Sequence, residues 1–182
     1  MKHWKPAVIA ALWSGALYAA PMPVVASFSI LGDVAQQIGG ERVAVQNLVG
    51  ANQDAHAYNL TSGDIKKIRE ARLVLLNGLG LEKAELQRAV KQSKVASAEA
   101  TAGIKPLAAD EHHHEHGHDH DHDHGEFDPH VWNDPVLMQR YAANVAIALI
   151  KADPAGSRYY QQRFKDYQNV LNQLNNYANQ QF

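Results

Sequence analysis

Eleven histidines stand in a chain of 182 residues that has no cysteine, and eight of them fall between His112 and His124. With thiolates excluded, a metal ion here can be held only by nitrogen and oxygen. The run HHHEHGHDHDHDHGEFD, His112 to Asp128, interleaves the imidazoles of His112, His113, His114, His116, His118, His120, His122 and His124 with carboxylates. Such donors suit Zn2+ and neighbouring divalent ions. A polar tract without an apolar stripe cannot preorganise one geometry. It is expected to take several ions weakly and to release them as its histidines protonate, near pH ~6.5. A cloning tag would sit at a terminus and lack the interleaved acids. His114 to His118 formally satisfies H-E-x-x-H, but that hydrolase motif needs a helix to bring both histidines to one face. In a string this rich in His and Glu, with Gly117 in the middle, the match is nearly free and is rejected.

Two solitary histidines carry a sharper signal. His56 lies in NQDAHAYNLTSGD, after a predicted strand and before a capped helix. His130 lies in FDPHVWNDP, where Pro129 stiffens the approach and Asp134-Pro135 opens a helix. Each has an aromatic neighbour, Tyr58 or Trp132, that could shield an ion from water. A single loop histidine is usually structural or merely exposed. Two in matching contexts, beside a histidine-rich tract, point to a shared ion. Asp54 and Asp128, each two residues before a histidine, read as turn-capping or supporting groups rather than ligands.

The elements that must position these residues alternate between strand and helix patterns. Val24 to Phe28 predicts a buried strand; Ser29 is placed to cap a helix with Ile30, Val34 and Ile38 inward, ended by Gly39-Gly40. Val43 to Val49 predicts a second strand, followed by a polar loop from Gly50 to Leu60. Thr61 or Ser62 is placed to cap the next helix, with Asp64 in its first turn and Ile65, Ile68 and Ala71 inward. Leu73 to Leu76 predicts a strand closed by Asn77-Gly78, Leu81 to Lys91 a helix, and Val95-Ala96 the start of another strand. Asp134 and Asp153, each before a proline, predict caps for two further helices. The second carries Tyr160, Phe164, Tyr167, Leu171, Leu174 and Ala178 at spacings of three and four, and reaches Phe182 without a stop signal. This order predicts an α/β fold, a parallel sheet flanked by helices with a long helix after it, and ligands in such sheets bind at the carboxyl ends of strands.

The N-terminus reads as a signal peptide over residues 1–20, with Lys2 and Lys5 before the apolar run Ala7 to Leu17 and small residues at Ala19 and Ala20. Losing it takes the net charge from −2 to −4, and no basic field invites nucleic acid. A lobe over 21–152, interrupted by the tract at 110–126, and a helix over 153–182 complete the expected organisation.

At its motifs the chain resembles the zinc-specific solute-binding receptors of bacterial ABC importers (cluster A-I). Their first-lobe signatures are close to D-x-H-x-Y-x-P-x-P-x-D and D-P-H-V-W-x-D-P. Here they stand as Asp54 to Asp64, with Leu60 and Ser62 in place of the prolines, and Asp128 to Pro135. The turn Asn77-Gly78-Leu79-Gly80-Leu81-Glu82 is also similar to the family's, as is an acidic histidine-rich loop before the second signature. The resemblance implies two α/β lobes joined by one long helix, with Zn2+ in the cleft between them. It implies that His56 and His130 are the first lobe's ligands, and that a second lobe, expected to be absent after Phe182, supplies the rest. It also implies a monomeric periplasmic protein that delivers zinc to an inner-membrane ABC permease and has no catalysis. The alternative from the same residues is a free-standing one-lobe periplasmic zinc buffer or chaperone. A zinc hydrolase lacks a placed glutamate base and a third ligand outside the tract.

Overall fold

Strands covered on both faces read as near-continuous apolar runs, and two segments of this chain do so, Leu73 to Leu76 without a break and Val24 to Phe28 with only Ser27 between. In the computed structural model, which describes residues 20–105 and 127–181, both become central strands. β1 spans Met22–Phe28 with Val24 to Phe28 wholly buried, and β3 spans Leu73–Leu76 with all four residues buried. The edge strands β2 (Val43–Val49) and β4 (Ala96–Glu99) are partly exposed. All pairings are parallel and the order is β2-β1-β3-β4, with Val24 opposite both Val45 and Leu73. Winding runs outward from β1 to β2 and then reverses to β3 and β4. The switch point therefore lies between β1 and β3, where open α/β sheets bind ligands beyond the strand ends.

Alternation along the strands sends side chains into two cores. Val24, Ala26 and Phe28 join Leu73 and Leu75 under the helices α1 (Ser29–Gly39), α4 (Pro135–Ala152) and α5 (Ser157–Gln181). Val25, Val74 and Leu76 face Ile68 of α2 (Ser62–Glu70) and Leu86 and Val90 of α3 (Ala84–Ser93). Among the described residues no helix is long and apolar enough to cross a membrane. The expected signal peptide up to Ala19, the tract at 110–126 and Phe182 lie outside the described residues.

Several local expectations are corrected. Ser29 does not cap α1: it is already the first helical residue, Phe28 stands at the N-cap, and no side chain bonds there. Ile30 is 39% exposed, and the inward face is Leu31, Val34, Ala35 and Ile38. Of the inward set expected in α2, only Ile68 is fully buried; Ile65 and Ala71 are half-buried. α3 starts at Ala84, not Leu81, because the Glu82 carboxylate reaches back to accept from the N–H groups of Asn77 and Gly78. Asp134 does cap α4, accepting from the N–H groups of Val136 and Leu137. Asp153 does not cap; a 3-10 turn, Pro154–Gly156, intervenes, and its carboxylate instead takes Arg42 and Tyr160. Along α5, Tyr160 and Leu171 are buried, Phe164 and Tyr167 pack half-buried on the same core, and Leu174 is 51% exposed.

Candidate metal centre

The two histidines reach one point from separate parts of the chain. His56 sits in the β2–α2 connection, and His130 sits just before the 3-10 turn Val131–Asn133 that leads into α4. Each follows an aspartate by two residues, and each aspartate folds back on it. The Oδ1 of Asp54 accepts from the His56 N–H at 2.8 Å, and the Oδ1 of Asp128 accepts from the His130 N–H at 2.9 Å. These are Asx turns, in which a short carboxylate substitutes for a backbone acceptor and fixes the peptide that carries the histidine.

Asp128 does more. Its Oδ1 lies 2.6 Å from Nδ1 of the His130 ring, a contact that is favourable when Nδ1 carries the proton. In the neutral ring that leaves the lone pair on Nε2, pointing away from the carboxylate, as is usual for metal-binding histidines. The His130 backbone N–H, with its ring adding to it against the cost of burial, holds the Asp128 carboxyl below its ordinary range. Edge-on packing of His130 against Trp132, with ring centroids 5.1 Å apart, further restricts the imidazole, and Trp132 leans on Phe28 at the end of β1.

The loop of His56 is anchored on its far side. Thr61 caps α2 in a reciprocal box with Asp64. The Asp64 carboxylate accepts from the Thr61 N–H and hydroxyl and from the Tyr58 hydroxyl at 2.8 Å. Burial opposes its ionisation, and the bonds from Thr61 and Tyr58 together outweigh it, leaving Asp64 below its ordinary range. The Tyr58 hydroxyl is raised in turn, chiefly by that bond. Tyr58 thus ties the residue two beyond His56 to the helix cap. The sequence marks Asp64 as an acid in a first helical turn, and the capping-box spacing Thr61-x-x-Asp64 is the signal that could have found its role.

The outcome is an Nε2–Nε2 separation of 3.1 Å between His56 and His130, both exposed. Two nitrogens bound at the usual zinc distance to one tetrahedral ion lie about 3.3 Å apart. Around an octahedral ion with bonds of similar length they lie about 2.9 Å apart. The observed spacing falls between, so the pair fits a divalent ion without choosing its geometry. Among the described residues no third His, Asp or Glu completes a set of three. The eight tract histidines, His112 to His124, lie outside the described residues.

Residues 24–182 match the family described as zinc-uptake complex component A, periplasmic. The chain belongs to that family. Its members are solute-binding receptors of ABC transporters, not enzymes. A manganese ABC transporter substrate-binding lipoprotein of Streptococcus anginosus is 30% identical over 161 residues, 88% of this chain and 52% of the relative. The iron-binding protein YfeA of Yersinia pestis is 32% identical over 151 residues, 83% of this chain and 46% of the relative. The Mn-bound periplasmic metal binding protein from Candidatus Liberibacter asiaticus shares the fold at a TM-score of 0.69 and 33% identity, over 81% of this chain and 52% of that one. The parallel four-stranded sheet with its long final helix is therefore the fold of a metal receptor. The chain spans about half the length of the relatives it matches. Metal binding is what these relatives share; their names give manganese and iron, so family membership leaves the choice of zinc open.

Proposed function

We propose that this chain is the first lobe of a periplasmic zinc receptor, with His56 and His130 as its two metal ligands and an inner-membrane ABC permease as the recipient of the ion. The observation that carries the reading is the convergence of the two Nε2 atoms at 3.1 Å from loops 74 residues apart. The bond from the His130 ring to Asp128 supports it, because it turns the other ring nitrogen outward as a ligand. The remaining donors come from a second lobe, of the kind for which the other half of the relatives' length has room. Export by the signal peptide read over residues 1–20 agrees with the periplasmic location that the family's description names.

Zinc is favoured over manganese by donor chemistry. Both donors in the pair are imidazoles, which suit zinc, whereas manganese prefers carboxylate, carbonyl and water oxygens. The tract from His112 to His124 is rich in the same donor and serves to gather or buffer zinc close to the tighter site. Equilibrium dialysis of the chain lacking Glu111 to Gly125, against equal free concentrations of Zn2+ and Mn2+, tests the choice. Zinc is expected to load in excess. Preferential loading of manganese would align this chain with its manganese-binding relatives instead.

A further inference from the structure

Two exposed imidazoles on separate loops do not hold a fixed distance unaided, because each side chain has its own rotamers and each loop its own freedom. The turn between β3 and α3, which is part of neither loop, is bonded to both. On one side the Nδ2 of Asn77 donates to the carbonyl of Pro129, the residue before His130, at 3.2 Å. On the other the Lys83 ammonium donates to the carbonyl of Ala57, the residue after His56, at 3.1 Å, and to Oδ1 of Asn59 at 3.0 Å.

The turn is itself over-determined. Asn77 is fully buried and its side chain is engaged at both ends, with Oδ1 accepting from the Tyr141 hydroxyl. Its carbonyl takes Thr101, and its N–H goes to Glu82. The buried Glu82 carboxylate also accepts from the Gly78 N–H and from the Ser27 hydroxyl at the end of β1. Gly78, Leu79 and Gly80 have φ of 89°, 54° and 79°. A left-handed leucine between two glycines is costly and persists only where its surroundings fix it.

Lys83 brings a positive charge to the loop that carries His56, which by charge alone does not favour a cation there. The two oxygens it ties down are what it contributes to that loop. We propose that the turn from Asn77 to Lys83 is the brace that sets the spacing of the metal-binding pair, with Lys83 positioning His56 and Asn77 positioning His130; this rests on the reading of the pair as a metal site.

The test is a Zn2+ titration of the full chain followed through the imidazole resonances of His56 and His130 by NMR, which reads this pair apart from the tract. Lys83→Met keeps the packing stem and removes only exposed bonds, so it folds even where Asn77→Ala does not. It is expected to weaken Zn2+ binding by about tenfold with an unchanged thermal midpoint. In a His56→Ala background, Lys83→Met should have no further effect, because it acts through His56. Unchanged or tighter binding in Lys83→Met would show that its bonds do not set the spacing and would overturn the brace. So would an equal loss with and without His56. If His56→Ala itself left the affinity unchanged, the metal site would fail first, and the brace with it.

Discussion

A histidine becomes a useful ligand when something else decides which of its nitrogens carries the proton, and Asp128 is placed to do so for His130, one of the two proposed ligands. Asp128→Asn keeps the shape and a carbonyl acceptor but removes the charge that strengthens the bond. Losses of such supporting contacts cost about ten- to a hundredfold in metal affinity. The lower end is expected, because the Asx turn and the packing on Trp132 remain. Isothermal titration of the chain without Glu111 to Gly125 measures it, and an affinity equal to that of the parent would mean that the Asp128 contact is incidental. The residue types are legible in the sequence: D-x-H twice, an aromatic nearby, no thiols. The spacing of the pair is not, because it depends on Lys83 and Asn77, whose partners lie 26 and 52 residues away along the chain. A lysine at a helix start and an asparagine before a glycine look locally like ordinary punctuation.

Among the elements, β2 and β3 have the predicted bounds, and each stops at its carboxyl end before a residue that breaks the pattern, Gly50 after β2 and Asn77 after β3. Misread boundaries occur where a side chain is claimed by a distant partner. Leu81 fits the period of α3, but Glu82 is held by the turn behind it, so the helix begins two residues after that. Asp153 has the sequence of a cap, yet Arg42 lies 2.7 Å from its carboxylate and the Tyr160 hydroxyl also 2.7 Å away. This cluster ties the start of β2 to the elbow between α4 and α5. Burial works against the Asp153 carboxylate, but the bonds from Tyr160 and Arg42 prevail and lower its pKa, while the Tyr160 hydroxyl is pushed up to about 12, mainly by burial. A carboxyl with a depressed folded pKa contributes stability in full above its unfolded value of about 3.9 and loses it as pH falls through the folded value. Asp153→Asn should therefore lower stability at neutral pH and flatten its decline between about pH 5 and pH 2. Urea unfolding across that range measures it; parallel curves for the variant and the parent would show that the cluster contributes nothing to folding.

At the scale of the whole molecule, two kinds of metal site are expected in one chain, a paired site built by the fold and a tract built by composition. The fold class is legible because βα alternation and strand length leave few arrangements, and the tract is legible because nothing else explains its histidines. Removing Glu111 to Gly125 should lower zinc stoichiometry while leaving the tightest site nearly intact, which competition with a chelator would read directly. The most direct measurement of the pair itself is anomalous scattering from a zinc-loaded crystal of that shortened chain. One zinc peak is expected about 2.0–2.1 Å from the Nε2 atoms of both His56 and His130. A peak on one histidine alone, or bound zinc with none between them, would contradict it.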